Sequence, residues 1–169
     1  LLGSQANKDT ALWQIDLKQV PQSKLLWSSS QSAGPPANAD AALIWDSVLN
    51  RLIAIVPGPT LQLWAIDFGK PSKWLKIGSD AGIVGGRARF IGGAAMANPL
   101  VVVGFPAGGP PPAVREVKFT AQATLAPLKL ALGDLTAAFD TVWQRNLSRA
   151  LVIPTVADDD KPVSAIHAL

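Results

Sequence analysis

The chain has 169 residues, enough for one ordinary domain with its own core. With 49% hydrophobic residues, 16% charged residues and a net charge of +3, a disordered tail and a strongly basic nucleic-acid-binding tail are both excluded. There is no cysteine, which excludes disulfides, zinc-thiolate sites, iron–sulfur clusters and a thiol nucleophile, and leaves the compartment open.

Fourteen prolines and fourteen glycines imply many turns and argue against long helices, since Pro costs about 3 kcal/mol inside one. Every apolar run is strand-length and broken by Gly or Pro, so no transmembrane helix is expected. The opening Leu1-Leu2-Gly3-Ser4 is too short for a signal peptide. It reads as the end of a third strand, and the chain as a mature product, an excised one or part of something longer.

The first clear element is residues 11–17. Here Leu12, Gln14 and Asp16 point one way and Trp13, Ile15 and Leu17 the other, the period of a strand. A second strand follows at 24–27. Residues 41–45 and 51–56 then form a hairpin whose short turn is flanked by Asp46 and Asn50, residues that bond nearby backbone and tolerate left-handed geometry. At 62–68 the first pattern returns, 51 residues on, with Leu63, Trp64, Ile66 and Asp67 in the places of Leu12, Trp13, Ile15 and Asp16. The same step predicts strands at 113–119 and at 164–169, placing Trp13, Trp64, Arg115 and Ile166 at equivalent sites on the outer strand of each unit. Residues 74–77 and 128–131 echo 24–27. The runs 88–91 and 137–139 echo 41–45, and 100–105 and 150–156 echo 51–56. In the last unit the turn begins at Phe139-Asp140 and reaches Asn146 after a small insertion.

Four short antiparallel strands per unit at a period of 40–50 residues is the signature of propeller blades. The expected fold is therefore all-β: a partial β-propeller over residues 1–169, with about three and a half four-stranded antiparallel blades. A jelly roll or an immunoglobulin-type sandwich is the structural alternative. Ile53, Ile55, Val101, Val103, Val152 and Leu43 are the expected core, because strands inside a blade are covered on both faces.

The hairpin from Trp45 to Val56, the strand from Leu61 to Phe68 and the later Trp74 resemble a kelch-type blade. The Gly-Gly pair that usually closes its third strand is replaced by Val56-Pro57-Gly58 and Val103-Gly104-Phe105. Trp13-Gln14-Ile15-Asp16 followed by Lys24-Leu25-Leu26-Trp27 is similar to a quinoprotein-type propeller repeat without its Thr-Gly turn. These resemblances imply a propeller. The copper and quinone chemistry of such families has no matching residues here, since Tyr and Cys are absent and no cofactor motif is found.

Catalytic residue types are scarce. His167 is the single histidine and reads as an ordinary strand residue, because triads and transition-metal sites want His with partners. Glu116 is the single glutamate, and the recurring Asp16, Asp67, Asp46 and Asp140 read as turn or strand-end acids. Asp158, Asp159 and Asp160 lack calcium-loop spacing and read as a solvated loop. Lys70, Lys73, Lys76, Arg87 and Arg89 read as a solvated rim, with no nucleic acid as partner. Among the six tryptophans, Trp143, with Gln144 and Arg145 beside it, is the candidate partner-binding group, placed in the supposed insertion. Asn146-Leu147-Ser148 makes Asn146 a possible glycosylation site. No cofactor or metal is expected. The expected role is a non-catalytic interaction or structural module, partnered by a protein or by further blades of the same polypeptide. The alternative is a propeller that binds or hydrolyses glycans.

Overall fold

The computed structural model describes residues 2–4, 10–17, 20–38, 40–67, 69, 73–92, 99–106, 108–130, 132, 139–144, 149–154 and 167–168. Among them the regular structure is strand. The first sheet holds β1 (Leu2–Ser4), β2 (Thr10–Asp16) and β3 (Gln22–Ser28). The second holds β4 (Ala42–Asp46), β5 (Arg51–Val56), β6 (Leu61–Asp67) and β7 (Trp74–Asp80). The third holds β8 (Arg87–Ile91), β9 (Leu100–Gly104), β10 (Ala113–Phe119) and β11 (Ala123–Leu128). The fourth holds β12 (Phe139–Gln144), β13 (Arg149–Pro154) and β14 (His167–Ala168). Every pairing is antiparallel and joins strands consecutive in sequence, so each sheet is a simple meander and none closes on itself.

Residues 51 apart in β2 and β6 take matching register positions. Trp13 faces Leu25 and Trp64 faces Lys76, and Leu12 faces Trp27 as Leu63 faces Gly78. A bulge falls between Leu12 and Trp13 and again between Leu63 and Trp64. The extra residue on the partner strand bends the hairpin and increases its twist. Arg115 takes the corresponding place in β10, opposite Pro127, in a ladder whose register runs without a shift.

The four sheets stack face to face through three apolar layers. Leu12 and Trp27 of the first sheet meet Ala54, Val56, Ile66 and Trp74 of the second. Ile53, Ile55, Leu61 and Leu63 of the second meet Val101, Val103 and Val117 of the third. Ile91, Val102 and Val114 of the third meet Phe139 of the fourth. Successive residues of β5 and β9 thus serve opposite layers. Both faces of those strands are covered, which is why their sequences run apolar without alternation. Each large side chain taken fully out of water contributes roughly 1.5–3 kcal/mol. Gly78 lets β7 approach β11, since a Cβ there would lie 2.7 Å from the Ala123 carbonyl oxygen.

Of the expected core, Ile53, Ile55, Val101 and Val103 are fully buried, and Leu43 packs partly buried against the layer between the first two sheets. The Val152 side chain lies outside the described residues. Several placements are corrected. The segments 11–17, 62–68 and 113–119 are not outer strands: β2 lies between β1 and β3, β6 between β5 and β7, and β10 between β9 and β11. The echo of 24–27 in the third sheet is β11, not 128–131, because the bulge-free ladder starts at Ala123. In the fourth sheet Phe139 to Gln144 is strand rather than the start of a turn, and the supposed insertion at 145–148 lies outside the described residues. Val101 faces Arg115 while Val152, in the matching place, faces His167, so His167 and not Ile166 stands in the Arg115 position. Residues 2–4 pair directly with β2, so they occupy a second-strand rather than a third-strand place.

Candidate functional site

Two kinds of feature stand out once the stack is assembled: ionic pins that tie neighbouring sheets together, and apolar faces that no sheet of the described residues covers. The pins gather at both ends of the strands. At one end, Asp46 closes the β4–β5 turn, its Oδ1 accepting from the backbone N–H groups of Val48 (3.1 Å) and Leu49 (3.2 Å). Asn50 completes that turn at φ 50°, in the left-handed region Asn tolerates. The other carboxylate oxygen accepts from Arg51 Nε at 2.9 Å, with the side chains only 11% and 4% exposed. Arg51 Nη2 then donates to the Thr120 carbonyl at 2.6 Å, joining the second sheet's hairpin to the β10–β11 turn of the third.

At the opposite end, Arg115 on β10 reaches Asp80 at the end of β7 at 2.6 Å. Arg89 on β8 donates to Asp140 on β12 at 3.1 Å, and Thr141 Oγ1 donates to the Phe90 carbonyl at 2.9 Å. Both pairs join residues 51 apart. Arg87 stands between Asp140 (3.7 Å) and Asp40 (4.0 Å), so Asp40, Arg87, Arg89 and Asp140 form one alternating row along the starts of the first strands. What this row does chemically is hold sheets in register. Each carboxylate in it is matched by a guanidinium, and Asp40 and Asp140 are half exposed, so the individual exposed pairs are worth at most about 1 kcal/mol. Among the described residues, no group of three or more His, Asp or Glu side chains is placed to hold a metal ion. No helix of the described residues is long and apolar enough to cross a membrane.

The uncovered faces lie on the two outer sheets. The first sheet turns Ile15 and Leu25 outward, 48% and 36% exposed, with the half-buried Trp13 directly opposite Leu25. The fourth sheet turns out Val142, 46% exposed, beside its cross-strand neighbour Leu151 and beside Ile153, both half-buried.

The residues singled out from sequence are distributed otherwise. Trp143 and Gln144 lie in β12, opposite Ala150 and Arg149, and not in a loop. Their side chains, and Arg145 and Asn146 altogether, lie outside the described residues, as do Lys70 and Asp158 to Asp160. Glu116 is half-buried on β10 and His167 lies in β14. The basic cluster divides, with Lys73 and Lys76 at β7 and Arg87 and Arg89 on β8 of the next sheet. Sequence reasoning missed the role of the arginines as pins. The available signal was the spacing, because Arg89 and Asp140 are separated by the period itself.

No protein-family model, curated protein or solved structure matches this chain.

Proposed function

We propose that the chain is an open arc of propeller blades, each sheet being one blade, and that it works as a non-catalytic interaction or structural module. The partner is a protein or further blades of the same kind. The observation that carries this reading is the pair of apolar outer faces. The positions that seal the layer between the second and third sheets recur on the first and fourth, where Ile15 and Val142 are nearly half exposed and no sheet of the described residues lies against them. Faces of this kind mark interfaces. Sequential meanders stacked through three layers also suit blades better than a two-sheet sandwich with crossing connections. The kelch-like and quinoprotein-like segments are consistent with the same architecture.

Binding of an apolar dye, measured with light scattering on the purified chain, tests the reading. Dye binding by folded chain, with association that grows with concentration, is the expected result. A cooperatively melting single chain that binds no dye would mean the fold closes on itself, and the open-arc reading would be abandoned.

A further inference from the structure

The stack has a direction. In each sheet one face looks toward the sheet before it in sequence and the other toward the sheet after it. The forward positions are Ile44, Ile53 and Ile55 in the second sheet and Ile91, Leu100 and Val102 in the third, all sealed or packed in the layers that follow. Their counterparts in the fourth sheet, by the ladder pairings, are Val142, Leu151 and Ile153. The backward positions of the second sheet include Trp64 and Ile66, packed in the layer that precedes it. Their counterparts in the first sheet are Trp13 and Ile15. Among the described residues, one chain therefore carries an exposed apolar position on a forward face at one end of the stack, Val142, and one on a backward face at the other, Ile15.

We infer that these faces cover each other in a second copy of this chain, joined head to tail, with the fourth sheet of one protomer against the first sheet of its partner. This rests on the reading of the chain as an open arc. Forward against backward is the arrangement of all three layers within the chain, so the junction continues an interface the protein already builds. Joining like faces would set backward on backward, which none of the three layers does. The junction is heterologous, so it repeats until the rotation closes. Two copies closing on each other stay within the range of about four to eight blades that form rings.

The test uses two single variants, Ile15→Lys on the backward face and Val142→Lys on the forward face. Both positions are nearly half exposed in the single chain, so lysine buries no charge there and circular dichroism should report an unchanged fold. Size-exclusion chromatography with light scattering should give paired chains for the parent and single chains for each variant. Mixing the two variants in equal amounts should restore pairing at least tenfold above either alone, because one undamaged junction forms between them. A folded parent that stays single at every concentration overturns the inference, as does a mixture that stays single. If each variant lowers dye binding while the mixture stays single, the head-to-tail pairing fails and the open-face reading stands. If neither variant alters dye binding, both fail.

Discussion

Ile66 and Ile15 are the same residue at the same register position of equivalent strands, 51 residues apart, yet Ile66 is 0% exposed and Ile15 is 48%. Ile91 and Val142 repeat the contrast on the opposite face, at 2% and 46%. The local sequence does not separate the members of either pair. What separates them is whether a neighbouring sheet lies against that face. The inner sheets are sealed on both sides and the outer ones on one side, so identical strand chemistry builds core in the middle of the stack and surface at its ends.

The sharpest way to break this comparison is one substitution made twice. Ile66→Lys places a charge in a dry layer beside Trp74 and should cost more than about 4 kcal/mol, enough to abolish folding, as read by circular dichroism and recovery of soluble chain. The same change at Ile15 belongs at the other end of the scale. Next comes Asp46→Ala, which leaves Arg51 largely buried without its carboxylate and opens the β4–β5 turn. A loss of about 3 kcal/mol is expected in denaturant unfolding. Gly78→Val should lose about 1–3 kcal/mol, because the new side chain meets backbone of β11 that has no room to retreat. A double-mutant cycle of Arg115→Met with Asp80→Asn should show a coupling of about 1 kcal/mol, since each side chain is only partly exposed and the pair joins two sheets. Ile15→Lys should shift intrinsic folding stability by no more than about 0.5 kcal/mol in dilute chain. A shift as large as that of Ile66→Lys would show that the outer face of the first sheet is covered within a single chain.

The strands of the first and second sheets were legible because their side-chain patterns are strong. Trp13 with Ile15 and Trp64 with Ile66 announce both the strand and its period, and Asp46 with Asn50 announces the turn between them. The fourth sheet was misread because Phe139-Asp140 copies Trp45-Asp46 in appearance. The ladder aligns Trp143, not Phe139, with Trp45, and only backbone pairing distinguishes the two alignments. The third-sheet echo slipped for a related reason, since β11 carries Ala123 and Pro127 where stronger patterns stood before.

By itself, the sequence determined that this protein is built of short antiparallel strands at a regular spacing, because period-two patterning and turn residues act locally. It also determined which strands carry apolar residues on both faces. Only the tertiary structure decided which of those faces are sealed. It also set β6 and β10 inside their sheets and aimed Arg51, Arg89 and Arg115 across to a neighbouring one. Burial is a property of two surfaces meeting. A strand specifies one of them, and the other is supplied by residues distant in sequence that only folding brings against it.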